Sequence, residues 1–262
     1  MGRFSEVVFG RRELPVRCLI YAGAYLPIRK DWVRSLFDSW QKVQGQWVKF
    51  TFAHKNGAEY LVVFNVYGAS MILEIVQVLK EGNAKKVFFI GSLGGKELPV
   101  GTLVLPTRIV DKTGFVAVDD PDKQFVQPEE YRLKRLRRAL DDSGEVYVEG
   151  EIVSVQCVLH NIEHLRSFVE QEEGVIGVEC ETSTYYHYTQ KEKLESYGLL
   201  YISDNKKTRN QHWRQESTEC EKKISKKDNL HSHYSHGIVR QGCEPISCTL
   251  KLQLPFQGVF SR

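Results

Sequence analysis

The 262-residue chain lacks the features that would sort it at a glance. It contains no run of about 18 apolar residues, which excludes a membrane-spanning helix. Neither sign of charge is in excess. The 36 basic and 33 acidic side chains leave a net charge of +3, and that balance removes the electrostatic case for a nucleic-acid partner. Cysteine is scarce and irregular: six residues with no C-x-x-C pair. That spacing argues against a disulfide framework and fits a reducing cytoplasm. The opening stretch MGRFSEVVFGRRELPVRCLIYAG carries charges where the apolar core of a secretion signal would lie, so a cytoplasmic protein is expected.

What is present is a chain with 42% apolar residues, enough for one large α/β domain or two small ones. Short β-branched runs alternate with helical patterns. Residues 16–23 (VRCLIYAG) read as a buried strand. Residues 47–54 and 60–68 read as two more, with Asn56-Gly57 as a hairpin turn between them. In 69–83, Met71, Ile72, Ile75, Val76 and Leu79 fall on one helical face, and Gly82-Asn83 stops the helix. Residues 85–95 (KKVFFIGSLGG) form a strand that runs into glycines, and 102–110 form another strand. Residues 128–144 read as a helix with Pro128 at its start, acids in its first turn and Gly144 at its end. The basic face of that helix (Arg132, Lys134, Arg135, Arg137, Arg138) reads as solvated, or as a contact for an anionic partner. Strands at 151–160, 175–181 and 197–205 and a helix at 162–173 complete the pattern.

This alternation predicts a single α/β domain over residues 1–205, with a mixed, mostly parallel central sheet flanked by helices. Such sheets bind ligands at the carboxyl ends of their strands. The residues found there are Gly23, Tyr67 to Ser70, Gly91-Ser92, Ser154, Glu179 to Glu181 and Ser203-Asp204.

The segment GVIGVECETSTYYHYTQ (174–190) is the most pointed of these, because an apolar strand leads directly into two acids, Glu179 and Glu181. Several stretches in order resemble the nucleoside phosphorylase family, which includes purine nucleoside phosphorylases, uridine phosphorylases and methylthioadenosine nucleosidases. They are NVYGAS, KKVFFIGSLGGKELPVGTLVLPT, GVIGVECET and YISDN, and the resemblance spans about residues 16–205.

The resemblance implies a role for each acid. Glu181 would accept hydrogen bonds from the ribose 2′- and 3′-hydroxyls, since a carboxylate offers two oxygens to a vicinal diol. Cys180 would pack under the sugar, and Glu179 would stand beside them. Two acids at this position also suit the start of a helix, where negative charge is favoured. Asp204, after Ser203 at a strand end, would protonate a departing purine. A Ser-Asp turn or helix cap is the plainer reading of that pair.

An anion site would draw on Gly23, Ser92 and Arg29. Where the family carries an arginine before its G-S/T turn, this chain has Phe89, and neither a lysine nor a neutral group reproduces a guanidinium fork. Phe89 would then line an apolar base pocket with Ser154 and Ser203, and Tyr67 is a further candidate for stacking on the base. The water-activating glutamate of the nucleosidase branch is also missing from GAYLPIRKD. The expected activity is phosphate-dependent cleavage of a purine nucleoside to free base and ribose 1-phosphate. Nucleoside hydrolysis, or nucleoside binding without catalysis, stands as an alternative. Phosphate would be co-substrate, no metal or organic cofactor is implied, and a homo-oligomer is expected by resemblance alone.

Residues 206–262 differ in character. The segment is polar and basic, and it holds four of the eight histidines and three of the six cysteines. It contains no C-x-x-C or H-x₃-H pair, which argues against a metal site built from Cys220, His231, His233, His236, Cys243 and Cys248. A disordered tail is one reading. The other begins from the helix that the family places after its Ser-Asp strand. Codons for residues 214–222 read one nucleotide later permit Gly/Ala, Lys/Arg, Lys/Arg, Val, Arg, Asn/Ser, Ala, Lys/Arg, Lys/Arg, which is the pattern of that helix. On this reading the tail is out of frame with the fold.

Overall fold

The computed structural model describes residues 4–22, 33–42, 48–156 and 174–205. Gly23, Arg29, the helix expected at 162–173 and the whole of 206–262 lie outside them.

A mixed sheet organises the described residues. Strand β1 (Arg17–Ala22) pairs in parallel with β4 (Ala58–Phe64) on one side and with β5 (Lys86–Gly95) on the other. Beyond β4 the sheet continues antiparallel through β3 (Lys49–Lys55) to the edge strand β2 (Ser39–Lys42). The β3–β4 hairpin turns at Asn56 (φ 49°) and Gly57 (φ 74°). Two left-handed residues in a two-residue loop match the twist of the flanking strands, as the Asn-Gly pair predicts.

On its other side β5 enters a closed ring of strands. It pairs in parallel with β10 (Glu195–Asn205), which pairs antiparallel with β6 (Leu103–Lys112). From β6 the ring continues in parallel to β8 (Tyr147–Val155) and on to β9 (Val175–Glu179). It closes where β9 meets β5, antiparallel, at Gly94 and Gly95. The short β7 (Phe125–Val126) pairs with β6. Closure leaves these five strands without a free edge along the ring. It also makes β9 take over the flank of β5 at the point where β1 ends.

Both faces of the sheet are buried, by side chains that alternate along each strand. Along β1, Cys18, Ile20 and Ala22 join one cluster and Leu19 and Tyr21 join the other. The first face packs on α1 (Phe4–Phe9), α2 (Ala69–Glu81) and α5 (Thr182–Lys191). The second packs on α4 (Glu130–Ser143), through Leu133, Leu136 and Leu140. A five-residue helix, α3 (Phe115–Asp119), follows β6. Helix α2 presents Ile72, Ile75, Val76 and Leu79 to the core, as its spacing predicts. Asn83 adopts the left-handed conformation (φ 64°) just after it.

Two expectations change. Three of the four arginines of α4 are committed within the protein. Arg132 donates to the Leu194 carbonyl (2.7 Å), Arg135 reaches Glu195 (3.0 Å), and Arg137 forks onto Glu149 (2.7 and 2.8 Å). Lys134 and Arg138 alone of that basic face are exposed. Helix α5 is anticipated in the sequence only by the two acids that suit a helix start, and not by its own residues. Its residues 182–189 are all buried, so it has no polar face and no amphipathic period to reveal it.

Candidate functional site

The end of β5 brings the candidate residues together. Gly94 pairs with Val178 of β9 on one side and with Asp204 of β10 on the other. Neighbouring strands lie about 4.8 Å apart, so the two flanking positions are separated by roughly 10 Å. A Cβ on Gly177 would stand 2.8 Å from the Gly94 carbonyl oxygen. Glycine there lets β9 close on β5.

On the β9 flank, Glu179 and Glu181 are 3% and 5% exposed. Glu179 Oε2 accepts from the backbone N–H groups of Glu181 and Thr182 and from Thr182 Oγ1, each at 2.7 Å. Its Oε1 accepts from the Ser154 hydroxyl. Glu179 is therefore the acid that caps the start of α5, as the helix-start reading has it. Glu181 turns the other way. Its Oε1 accepts from the Gly68 N–H at 2.5 Å, and its Oε2 lies 3.3 Å from the Cys180 nitrogen. Gly68 immediately precedes α2 at φ 83°, a conformation that favours glycine. The first turns of two helices, α2 and α5, thus converge on the acid pair.

Burial raises both carboxyls above the ordinary range, because an ion loses its hydration there. For Glu179 the four donors oppose that rise. For Glu181 burial comes first and the Glu179 charge adds to it, pushing the group up to about 8. Cys180 lies between the acids, 2% exposed, in an apolar cluster with Val153, Val155, Val175 and Val178.

On the β10 flank, Asp204 is half-buried, and its Oδ1 lies 2.8 Å from the Ser203 hydroxyl. Ser203 Oγ is also 3.3 Å from the Leu93 carbonyl. Ser92, half-buried, stands between the flanks and donates to the Ala22 carbonyl (3.4 Å). It therefore sits where β1, whose last residue is Ala22, gives way to Gly23.

Two expected pocket residues are placed elsewhere. Phe89 is 0% exposed, its ring stacked on Tyr185 with centroids 4.9 Å apart. It fills the core between the sheet and α5 and is spent there, because side chains on a strand alternate and this position faces the helix layer. Ser154 is 0% exposed, donates to Glu179 and accepts from the Ser183 N–H (2.9 Å). Its hydroxyl serves the acid pair. Tyr67, beside Gly68, is 44% exposed.

Gly68, Ser183 and Asp111 belong to the site and were not singled out for these roles. Asp111 Oδ1 accepts from Ser183 Oγ and Thr113 Oγ1, both at 2.6 Å. The D-K-T-G stretch carries the signature of an Asx turn and could have revealed it. Among the described residues, no group of three His, Cys, Asp or Glu side chains is placed to hold a metal ion, and no helix is long and apolar enough to cross a membrane.

These features define a class. Residues 42–228 match the family model of the phosphorylase superfamily, and the chain belongs to that superfamily. Its fold is shared with solved structures of low identity. Uridine phosphorylase from Vibrio fischeri is 16% identical, with a TM-score of 0.65 over 78% of this chain and 85% of that one. Purine nucleoside phosphorylase from Toxoplasma gondii, in complex with immucillin-H, is 15% identical, with a TM-score of 0.62 over 76% and 81%. AMP nucleosidase from Bacteroides thetaiotaomicron is 20% identical, with a TM-score of 0.60 over 72% and 81%. No curated protein sequence matches the chain.

Proposed function

We propose that the protein cleaves a purine nucleoside with phosphate, giving the free base and ribose 1-phosphate. The observation that carries this reading is the buried Glu181 carboxyl on one flank of the β5 end, with Asp204 on the other, in a chain of the phosphorylase superfamily.

In the proposed reaction Glu181 accepts the 2′- and 3′-hydroxyls of the ribose. Two donors on two carboxylate oxygens fix the sugar ring and favour positive charge on it. The C1′–N bond breaks as Asp204 gives its proton to a ring nitrogen of the base. A phosphate oxygen forms the new bond to C1′. Ser92, with Gly23 and Arg29 from outside the described residues, would hold that phosphate. The reaction as written needs neither a metal nor an organic cofactor. A cytoplasmic homo-oligomer with no nucleic-acid or membrane partner completes the proposal.

One observation favours a second reading, hydrolysis. Phe89 stands where the resemblance calls for an arginine on the phosphate, and its ring is buried in the core. The test is to incubate inosine, adenosine, uridine and methylthioadenosine with and without phosphate and to follow the free base. Release that requires phosphate supports phosphorolysis, and release without it supports hydrolysis. Binding by calorimetry with no turnover would leave a nucleoside-binding protein. Neither binding nor turnover rejects the nucleoside reading.

A further inference from the structure

Two carboxyls two residues apart are buried together, and among the described residues neither is paired with lysine or arginine. Such a pair does not hold two negative charges at neutral pH, because each like charge raises the cost of the other. Hydrogen bonding decides which member keeps the charge. Glu179 faces four donors, two of them backbone N–H groups that cannot reverse their role. The Ser154 hydroxyl is oriented toward Glu179, because the same oxygen accepts from the Ser183 N–H. Ser183 is tied in turn to Asp111. Glu181 has one close donor, the Gly68 N–H, and one distant one, the Cys180 N–H. The more fully solvated partner is the one that ionises.

We propose that Glu179 and Ser154 are positioning residues: they keep Glu179 ionised, hold a proton on Glu181, and make the capture of a vicinal diol expel that proton to solvent. The reasoning for the last step is an acceptor count. A neutral carboxyl uses one oxygen as a donor and offers a diol a single good acceptor, whereas a carboxylate offers two. When two hydroxyl donors arrive they replace lost hydration and stabilise the charge, so the proton leaves for the buffer and no other bond changes. Among the described residues, the titratable groups around Glu181 are Glu179 of β9, the Cys180 thiol beside it and, through Ser183, Asp111 at the end of β6. The upward displacement of Glu181 caused by burial and by Glu179 is consistent with this arrangement. The diol step rests on the nucleoside reading; the shared proton does not.

The test begins with the ligand-free full chain carrying ¹³C-labelled glutamate side chains, titrated by NMR, with Glu181→Gln used to assign the signal. The expected result is a Glu181 carboxyl that is still protonated at neutral pH and titrates on the alkaline side. A Glu181 that titrates in the ordinary carboxylate range overturns the proposal. In Glu179→Gln the Glu181 midpoint should fall by at least about one pH unit, as expected when a neighbouring like charge is removed. Should that variant not fold, Ser154→Ala takes its place. Losing the Ser154 donor should raise the Glu179 midpoint and lower that of Glu181, and unchanged midpoints overturn the positioning role. Inosine is then titrated calorimetrically, without phosphate, in two buffers of different ionisation enthalpy. Release of close to one proton per inosine supports the coupling, and binding without release overturns it. If inosine does not bind although the Glu181 proton is present, the nucleoside reading and its diol step fail, and the shared proton stands on the NMR titration.

Discussion

On one flank of the β5 end, Glu179 and Glu181 are 3% and 5% exposed, fixed by donors from β8, from Gly68 just before α2 and from the start of α5. On the other, Asp204 is half-buried near the Ser203 hydroxyl, on a strand that shifts register between Ile202 and Asp204. The first flank is a junction of four elements, so its acids are part of the scaffold as well as of the site. The second is the end of one strand, where a side chain can change its contacts without disturbing the core. Substitutions on the two flanks should therefore separate: those at Asp204 should register in turnover, and those around Glu181 in binding, stability and pH response together.

The largest expected effect tests the lightly built flank. Asp204→Asn keeps the shape of the side chain and removes its acid. Purine nucleoside cleavage should fall by about 10²–10⁴-fold, with stability within about 0.5 kcal/mol of the parent in denaturant unfolding. A comparable loss of stability would erase the contrast between the flanks. Next is Glu181→Gln, which leaves one acceptor for the diol. Hydrogen bonds to a charged group contribute about 1.5–3 kcal/mol, so nucleoside affinity should drop by roughly 10- to 100-fold. An unchanged dissociation constant would remove Glu181 from the sugar site.

The acid pair should also make stability depend on pH. Glu181, raised from 4.5 to about 8, binds its proton more tightly in the folded chain than in the unfolded one, and Glu179 is displaced in the same direction. The stabilising contribution is thus complete below about pH 4.5 and is lost as pH rises through about 8. The slope is at most about 1.4 kcal/mol per pH unit for each proton. Denaturant midpoints across this window should fall with pH in the parent and fall less in Glu181→Gln; parallel slopes would mean that Glu181 is ionised throughout. The smallest effect expected is that of Gly68→Ala. A Cβ there meets nothing within 4 Å, so the cost is that of holding an alanine at φ 83°, ψ 159°, a region kept almost entirely by glycine, about 1–3 kcal/mol. Thermal unfolding would measure it, and no loss at all would show that the turn before α2 relaxes and frees Glu181.

Much of the scaffold is legible from residue order. The β3–β4 hairpin follows from Asn56-Gly57, α2 from its apolar face, and α4 from Pro128, the acids of its first turn and Gly144. Helix α5 is not legible, because hydroxyl and tyrosine side chains surround it and their partners lie far along the chain. Tyr185 donates to the Val87 carbonyl (2.8 Å) and Tyr188 to that of Phe115 (3.1 Å). The acids at 179 and 181 and the Ser203-Asp204 strand end could be picked out by residue type and by family resemblance. Their division of labour could not, since both acids follow the same apolar strand. Nor could the burial of Phe89, because a position on a strand does not declare which layer it faces.

By itself the sequence determined the alternation of strands and helices, the hairpin, and which acids stand at strand ends, because these depend on near neighbours and on the period of the apolar residues. Tertiary structure alone decided that the strands close into a ring, that Gly68 meets Glu181 across 113 positions of chain, and that Glu179 rather than Glu181 caps α5. Those outcomes turn on which buried polar groups find partners at a distance, and burial becomes defined only when the layers have packed.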